Sequence, residues 1–395
     1  MTNRYVKLML SEFKNDSRNI REMDAVSNIF KDIIVLCPKK NQEYVNESNY
    51  NVITYNHRLS KHKILRAMTI IYYILIKIPH KLRRLKADVI SCQDLIALLI
   101  GWISTWLTVA RNKPILVYDS HELEIARNTN GKRKNITNKI IPKLEKFLMK
   151  KASFSIFACD SAAKEVTDLY RLPQLPLVIR NVPYKWNIDT MRCKLAREKI
   201  LKRMNLPEET FLIIYHGVIG YGRGVENLLY SIDGLEGVGL VILGMGEEEY
   251  IDNISKLITR LDLNNKAIIL PAVSLSDLCD YLCATNAGMV TVQAVTKSYY
   301  YMLPNKFFEN IQALNPIICS NFPEVQKIVN QYKIGLTVNP DNIDEIKSAI
   351  KELKDNKVLY NEFKANLVNA KNDLCWDNEA PKLIEKYKNI LRREK

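Results

Sequence analysis

Short runs of Val, Ile and Leu alternate along the whole chain with stretches in which apolar residues recur every three or four positions. The short runs are typical of buried strands and the longer stretches of amphipathic helices. In the first half, the predicted strands are 5–10, 33–37, 52–55, 89–92, 115–120, 154–158 and 177–179. In the second half, they are 211–216, 239–243, 267–270, 287–292 and 316–320. Strands that alternate with helices predict parallel sheets covered by helices on both faces.

The two series of strands predict two doubly wound α/β domains. A polar helix, MRCKLAREKILKRMN, lies between Val182 and Thr210, and 395 residues are too many for one typical core. We therefore expect an N-terminal domain at 1–182 and a C-terminal domain at 205–370, with an amphipathic helix at 376–395 joining the first. Ligands of open α/β sheets bind at the carboxyl ends of the strands, so two such Rossmann-like domains are expected to face a central cleft.

The net charge of +15 lies entirely in the first half, because residues 1–182 hold 31 Lys and Arg against 16 Asp and Glu. A one-sided basic surface favours an anionic partner such as nucleic acid, lipid headgroups or a phosphorylated acceptor. The sequence contains neither a zinc-finger spacing nor an aromatic ribonucleoprotein strand. A basic nucleic-acid-binding protein is therefore the least favoured interpretation, and we expect no nucleic-acid partner.

The remaining composition favours a cytosolic protein. The eight cysteines include no CxxC pair, which predicts buried reduced thiols and no metal site. The N-terminal stretch MTNRYVKLMLSEFKND lacks the apolar core of a signal peptide. The longest uncharged apolar run, LIALLIGWISTWLTVA at 95–110, is short for a membrane span, and we interpret it as a buried or interfacial helix.

The stretch MLPNKFFENIQALNPIICSNFPE, at 302–324, predicts a helix that begins near Pro304 and a short buried strand after it. A helix that begins at a loop presents free N–H groups and a partial positive charge, which suits a phosphate. Glu309 follows one turn later, where it can accept hydrogen bonds from sugar hydroxyls. An ordinary amphipathic helix with a solvent-exposed Glu remains the alternative on this stretch alone.

Three further strand-and-turn stretches precede it. FLIIYHGVIGYGRGVENLLYSI contains a glycine-rich turn with Arg223 beside it, and LVILGMGEEEYI ends in a second glycine turn at Gly244. IILPAVSLSDLCDYLCATNAGMVTV contains a turn at 271–273 that can border a flat base. None matches the dinucleotide fingerprint, and each is nonspecific by itself.

In this order, the four stretches resemble the donor-binding half of glycosyltransferases of the GT-B architecture, specifically family 4, the glycosyl transferases group 1. The resemblance covers about residues 208–350. It implies that Glu309 binds the ribose hydroxyls of a sugar nucleotide and that the helix start at 304–307 receives its diphosphate. It also places Arg223 where the family usually has a Lys that contacts the diphosphate. The full set of donor-binding residues implied is Gly217, Val218, Gly222, Arg223, Gly244, Val273, Tyr301, Leu303, Pro304, Asn305, Lys306 and Glu309.

Two positions depart from the family pattern. The family commonly has a second carboxylate eight positions before Glu309, where this sequence has Tyr301, and an Arg where it has Val218. Lys306 can supply the missing positive charge from the LPNK turn. The departures leave open a catalytically inactive GT-B partner subunit as an alternative to an active enzyme.

The first half resembles the family more loosely. SEFKNDSRNIREMDAV is similar to the Asp-x-Arg segment near the start of many such enzymes, and ILVYDSHELE to a strand followed by Asp-x-His-Glu. The resemblance implies that Asp16, Arg18, Asp119 and His121 bind the acceptor, with His121 closest to its hydroxyl. A hydrogen-bonded structural histidine is the alternative for His121.

The expected function is therefore hexosyl transfer from a nucleoside diphosphate sugar to a hydroxyl group, with the retention that the resemblance implies. The expected catalytic residues are His121, Arg223, Lys306 and Glu309. We expect no metal and no cofactor besides the donor, because no Asp-x-Asp cluster follows a strand in the donor half. The bias toward Lys, Ile, Asn and Tyr suits a bacterial enzyme of surface-polysaccharide biosynthesis.

The basic first half suggests a place for the acceptor. Four predicted features can contact an anionic membrane that holds a lipid-linked acceptor. They are the apolar helices at 64–79 and 95–110, the segment KLRRLK at 81–86 and the loop RNTNGKRKN at 127–135. The protein would then be cytoplasmic and peripheral on the inner face of the plasma membrane. The alternative is a pair of core helices with solvated lysines and a glycan acceptor.

Overall fold

The computed structural model describes residues 4–13, 16–39, 50–55, 61–108, 113–120, 124 and 135–393. The chain forms two compact units. Unit 1 comprises Met1–Arg180 and Glu379–Lys395, and unit 2 comprises Asn181–Asn378. Each unit is built around one parallel sheet.

Unit 1 contains a sheet of seven parallel strands in the order β3-β2-β1-β4-β5-β6-β7. The strands are β1 (Arg4–Leu8), β2 (Asp32–Pro38), β3 (Asn51–Tyr55), β4 (Val89–Gln93), β5 (Ile115–Ser120), β6 (Phe154–Phe157) and β7 (Leu177–Val178). The strand order reverses between β1 and β4. Its helices are α1 (Ser17–Val26), α2 (Lys63–Tyr72), α3 (Ile78–Arg84), α4 (Asp94–Trp106), α5 (Asn135–Met149) and α6 (Asp160–Tyr170).

A buried ion pair network crosses the middle of this sheet. Lys7 of β1 is fully buried, and its Nζ lies 2.6 Å from Glu22 Oε2 and 2.7 Å from Asp119 Oδ2. Burial disfavours the ammonium form, but the two carboxylates outweigh that effect and raise the pKa of Lys7. The opposite carboxylate oxygen of Asp119 pairs with Arg18 at 3.1 Å. The network therefore ties α1 to the carboxyl end of β5.

Unit 2 contains a sheet of six parallel strands in the order β10-β9-β8-β11-β12-β13. The strands are β8 (Phe211–Ile219), β9 (Val238–Gly246), β10 (Ala267–Pro271), β11 (Ala287–Val290), β12 (Ile317–Ser320) and β13 (Gly335–Val338). Here the order reverses between β8 and β11. The helices of unit 2 are α7 (Thr190–Met204), α8 (Val225–Ile232), α9 (Glu248–Arg260), α10 (Leu275–Cys283), α11 (Lys297–Tyr300), α12 (Asn305–Gln312), α13 (Pro323–Tyr332), α14 (Ile343–Asp355) and α15 (Lys357–Asp373).

Both faces of the unit 2 sheet are covered. Ile213 and Tyr215 of β8 pack into one core cluster with α8, α9 and α14, whereas Leu212 and Ile214 pack into another with α7 and α10. This division follows from the pleat, because successive side chains of a strand point to opposite faces. A buried strand that helices cover on both faces therefore has a continuously apolar sequence.

The last helix, α16 (Trp376–Arg393), begins in unit 2 and continues into unit 1. In unit 1, its Tyr387 hydroxyl lies 3.2 Å from the Tyr5 hydroxyl, which donates to Glu22 at 2.8 Å. The C-terminal segment thus joins the buried network of the first sheet. Among the described residues, no helix combines the length and apolar character that a membrane crossing requires.

All twelve predicted strands are present, with differences of one or two residues at most ends. The exceptions in length are β8 and β9, which each continue three residues beyond their predicted ends at 216 and 243 and pair with each other as far as Ile219 and Gly246. β13 was not among the predicted strands. The helix predicted at 64–79 is three consecutive pieces, because a π-helical turn at Tyr73–Lys77 separates α2 from α3. The structure also places the helix predicted as a linker, α7, inside unit 2, where it packs on α10.

We expect Lys7→Met to destabilise the protein by about 3–5 kcal/mol, because it removes the buried cation that pairs with both Glu22 and Asp119. Lys31→Met is the matched control, since Lys31 is exposed and its loss is expected to change stability by about 0.5 kcal/mol or less. Urea denaturation of the full chain measures both. Equal midpoints for the two variants would contradict a structural role for the network.

Candidate functional site

The strands β8 and β11 end side by side where the strand order of unit 2 reverses. In open α/β sheets, this edge is where ligands bind, because the loops that leave the two strands diverge there. The loop after β8 leads to α8, and the segment after β11 contains the short helix α11 and leads to α12. These two loops and the beginning of α12 carry most of the residues considered below.

The loop between β8 and α8 lies directly against the end of β11. Gly224, which precedes α8, has φ = 79°, and a Cβ there would lie 2.0 Å from the carbonyl oxygen of Thr291. Only glycine fits this position. The neighbouring Arg223 lies with its guanidinium 4.9 Å from the centre of the Tyr299 ring, so an aromatic face from the second loop orients its positive charge.

The helix α12 begins without a side-chain cap. Pro304 is the residue before its first turn and makes no capping hydrogen bond. The first N–H groups of a helix have no acceptor within the helix, so those of Asn305 and Lys306 can accept an anion. The Asn305 side chain is exposed and accepts a hydrogen bond from Asn181 at 2.7 Å. Leu303 and Pro304 are buried and fix where the helix begins.

Two buried amides fix α12 on the sheet. Asn310 donates to the Lys306 carbonyl at 2.7 Å, and its Oδ1 would lie 2.0 Å from a Cβ at Gly288 of β11. Gln312 donates to the carbonyls of Lys371 and Leu374 at 2.9 and 3.1 Å. Buried amides bonded in this way set the register of the helix, because a shift would leave each of them without partners.

Glu309 reaches from α12 to the end of β8. Its Oε2 lies 2.8 Å from Nε2 of His216, which is 3% exposed, whereas the Glu309 side chain is 16% exposed. A carboxylate only accepts hydrogen bonds, so Nε2 carries the donated proton. The other ring nitrogen, Nδ1, is buried and has no hydrogen-bond partner. One carboxylate oxygen of Glu309 is thus held in place, and the side chain keeps some access to solvent.

Lys306 lies one turn before Glu309 and is also buried. Its Nζ lies 3.8 Å from the centre of the Tyr215 ring and has no hydrogen-bond partner in the part of the chain that the structure describes. Burial, and after it the positive charge of Arg223, lower the pKa of Lys306 to about 7, against the opposing effect of Glu309. Lys306 also passes beside Gly217 near the end of β8, because a Cβ at that position would lie 3.9 Å from its Cε.

The structure therefore brings Gly217, Arg223, Lys306 and Glu309 together. Gly244 adjoins this group, since a Cβ there would lie 1.8 Å from the Gly217 carbonyl oxygen, which accounts for glycine at the end of β9. Gly222 packs in the same way against Val295.

Three other predicted donor residues lie at the margin of this group. Val218 is 55% exposed, and its carbonyl accepts a hydrogen bond from the Tyr215 hydroxyl. Tyr301 packs against Tyr300 with ring centres 5.4 Å apart, and Val273 is half-buried against the core cluster below α10.

The predicted acceptor residues of unit 1 have structural contacts. Asp16 caps α1 by accepting from the Asn19 N–H at 3.1 Å. Arg18 and Asp119 are buried in the ion pair network, and Arg18 also donates to the Ile179 carbonyl at 3.2 Å. His121 lies outside the described residues, so its predicted role remains a prediction. Among the described residues, no group of three or more His, Cys, Asp or Glu side chains is arranged to hold a metal ion.

Sequence reasoning missed His216, Tyr215 and Asn310. His216 is the last residue before the glycine turn of β8, and a polar side chain at the end of an otherwise apolar strand is the signal that could have found it. Asn310 looks like any polar residue of an amphipathic helix, and no pattern distinguishes it. The burial of Lys306 contradicts what its sequence position suggests, since lysine is rarely buried without a partner.

The chain matches known proteins in its second half and in its whole fold. Residues 196–370 match the family model described as glycosyl transferases group 1. No curated protein matches the full sequence. The chain is similar in fold to HepE from Anabaena, solved in complex with UDP, with a TM-score of 0.78, 14% identity and coverage of 98% of this chain and 100% of that one.

Two further structures have the same fold. Sucrose-phosphate synthase from Thermosynechococcus elongatus superposes with a TM-score of 0.74 at 16% identity, covering 99% of each chain. WaaG, a glycosyltransferase involved in lipopolysaccharide biosynthesis, superposes with a TM-score of 0.64 at 11% identity, covering 96% of this chain and 98% of that one. At these identities, the structural likeness establishes the fold, which is that of the GT-B glycosyltransferases.

Gly224→Ala is expected to lower the free energy of unfolding by about 1–3 kcal/mol, because the new Cβ overlaps the Thr291 carbonyl and the backbone is left-handed. Gly220→Ala in the same loop is the control, since a Cβ there meets nothing within 4 Å. Chemical denaturation of both variants tests the close contact between the two loops. A Gly224→Ala variant as stable as Gly220→Ala would show that the loops do not touch.

Proposed function

We propose that this chain is a glycosyltransferase, that unit 2 binds a nucleoside diphosphate sugar and that the enzyme transfers its hexosyl group to a hydroxyl of an acceptor, with retention. The match of residues 196–370 to the group 1 glycosyl transferase model and the GT-B fold support this proposal. The observation that carries the proposal is the juxtaposition of Glu309, Lys306 and the uncapped start of α12 at the reversal point of the sheet. This arrangement offers a carboxylate, a cation and free amides to one ligand.

The diphosphate binds at the start of α12 in this proposal. The N–H groups of Asn305 and Lys306 and the partial positive charge of the helix end favour a phosphate. Lys306 and Arg223 add positive side-chain charge. They take the place of the Arg that the family commonly has at the position of Val218. When the bond from the sugar to the diphosphate breaks, negative charge grows on the leaving group, so positive groups fixed in advance lower the barrier.

The ribose binds to Glu309. Its Oε2 is engaged by His216, and its Oε1 can accept hydrogen bonds from two neighbouring hydroxyls of the ribose. His216 is therefore a positioning residue, because it fixes the rotamer of the carboxylate without contacting the sugar. This contact and the 16% exposure of the Glu309 side chain support the proposal over an ordinary amphipathic helix with a solvent-exposed Glu.

The neighbouring structures support the class of donor. HepE was solved with UDP and with UDP-glucose, and we infer that this chain also takes a sugar nucleotide of that kind. WaaG is named for lipopolysaccharide biosynthesis, which agrees with an acceptor in a bacterial cell-surface polysaccharide. We propose that unit 1 binds this acceptor, that His121 meets its hydroxyl, and that no metal ion takes part.

We further propose that the acceptor is linked to a lipid and that unit 1 binds the inner face of the plasma membrane. The helix α2 contains no buried residue. Between Lys63 and Lys77, the exposed large apolar side chains are Ile64, Leu65, Met68, Ile71, Tyr72, Leu75 and Ile76. Residues 48–87 contain no Asp or Glu, so the charged side chains within this stretch of the chain are basic. Apolar contact together with attraction to anionic lipids is the usual basis of reversible membrane binding.

The burial pattern distinguishes the two apolar helices, which the sequence alone does not distinguish. Six residues of α4 are buried, and it packs on β4 and β5 as a core helix. Most of the exposed large apolar side chains belong to α2 and the π-helical turn after it, whereas α4 contributes Ile96 and Trp106. The membrane proposal therefore rests on residues 63–77.

Glu309→Ala is expected to weaken binding of UDP-glucose by about 10-fold to 100-fold, because a hydrogen bond to a charged group contributes about 1.5–3 kcal/mol. Glu362→Ala is the control, since Glu362 is exposed on α15. Isothermal titration calorimetry measures the affinities, and a donor-hydrolysis assay on the wild-type protein detects turnover. Unchanged affinity in Glu309→Ala would refute the ribose assignment, and donor binding without turnover would favour the inactive partner subunit that Tyr301 suggests.

Substituting Ile64, Met68 and Ile71 together by Ser is expected to weaken binding to vesicles of anionic phospholipid by at least about tenfold, because each loses exposed apolar surface that lipid would cover. Val358→Ser is the control, because Val358 is 80% exposed in unit 2. Sedimentation with vesicles of anionic and of zwitterionic lipid measures the effect. Equal sedimentation of the triple variant and the wild-type protein would contradict the membrane proposal.

A further inference from the structure

The ammonium group of Lys306 is in an environment that does not support its charge. Lys306 is 7% exposed, and its Nζ has no hydrogen-bond partner among the described residues. Among the described residues, the face of the Tyr215 ring at 3.8 Å and the negative charge of Glu309 favour the charged form. A buried charge is expensive unless it is both paired and hydrogen-bonded, and a lysine in this position responds by releasing its proton.

The surrounding groups give little compensation. Glu309, one turn along the same helix, is the carboxylate that acts on Lys306, but its Oε2 is already engaged by His216 of β8. Arg223, in the loop after β8, adds a second positive charge. Tyr215 stays neutral, because burial raises the pKa of its hydroxyl well above the usual value, and that hydroxyl donates to the Val218 carbonyl.

A diphosphate would reverse this balance. Its oxygens are strong hydrogen-bond acceptors, and they bring negative charge to the start of α12, next to Arg223 and Lys306. The charged form of Lys306 would then be both hydrogen-bonded and compensated. The group that is poorly supported in the free protein thus has its full set of partners only in the complex.

We propose that the donor site takes up one proton when it binds a nucleoside diphosphate sugar, and that Lys306 Nζ is the atom that receives it. The proton comes from the buffer and adds to the lone pair of the neutral amine, and no bond of the donor changes. This inference rests on the proposed function, since it concerns the same diphosphate site. Release of the nucleoside diphosphate after transfer returns the proton to solvent.

The sign of the pH dependence follows from linkage. In the free protein, Lys306 has a pKa of about 7, and a bound diphosphate raises that pKa. Below about pH 6 the amine is already protonated, so binding takes up almost no proton. Above about pH 7 the free site is mainly neutral, so the affinity falls as pH rises, by up to about tenfold per pH unit.

Calorimetric titration with UDP-glucose tests the inference, because the diphosphate of a nucleotide sugar does not itself titrate between pH 6 and 8. At each pH, two buffers with different ionisation enthalpies give the number of protons bound. For the wild-type protein, we expect about 0.9 proton at pH 8 and about 0.1 at pH 6. GDP-mannose is the second probe.

Three variants identify the residue. Lys306→Arg keeps a permanent charge and is expected to bind with no proton uptake at either pH. Lys306→Met is expected to bind more weakly and also without uptake. His216→Gln removes the other titratable group beside Glu309 and is expected to retain the uptake at pH 8. Loss of the uptake in His216→Gln would assign the proton to His216 and overturn the inference.

The two levels of the proposal fail differently. If neither UDP-glucose nor GDP-mannose binds the wild-type protein at any pH, the donor site itself is wrong. If either binds at pH 8 without proton uptake, the donor site stands and the role of Lys306 as proton acceptor is refuted. The wild-type measurement decides this without any variant, so a substitution that fails to fold does not obscure the result.

Discussion

One hydrogen bond between side chains 93 positions apart, His216 Nε2 to Glu309 Oε2, joins the two halves of the candidate site. It depends on β8 and β11 being neighbours in the sheet, because only then does the helix that follows β11 reach the end of β8. It also depends on the register of α12, which Asn310 and Gln312 fix from below. The chemistry of the site is thus a consequence of strand order and of buried amides that never meet a ligand.

The elements of the fold are largely predictable from the sequence because the sheets are parallel and covered on both faces. The strand segment 240–243, for example, is buried throughout and is therefore a continuous apolar run. No polar residue within it suggests the periodicity of a helix. The local sequence pattern does not predict the ends or the form of an element correctly where tertiary contacts determine them. β8 extends past its last apolar run, through a glycine turn, because the pairing of Gly217 with Gly244 continues the ladder. The π-helical turn at Tyr73–Lys77 has no marker in composition either.

The resemblance is sufficient to select Glu309, Arg223 and Lys306 as candidate site residues. Their burial and their hydrogen-bond partners could not be predicted from the sequence. Whether a lysine is solvated or buried depends on what lies above it, and here a ring from β8 and a glycine turn cover Lys306. The partner of Glu309 is equally invisible in sequence, because nothing local relates positions 216 and 309. In unit 1, residues that the resemblance assigns to an acceptor are also those that neutralise Lys7, so Asp119 and Arg18 have a structural reason to be present whatever else they contact.

The close approach of Gly288 and Asn310 constrains how this protein can change over generations. A side chain of any size at position 288 would occupy the space of the Asn310 amide, which in turn holds the Lys306 carbonyl and the start of α12. A larger residue at position 288 in the strand therefore requires a smaller residue at position 310 in the helix. Homologous sequences that keep the site should therefore vary at these two positions as a pair, and a glycine in the middle of an apolar strand records the presence of an amide in a helix some twenty residues later.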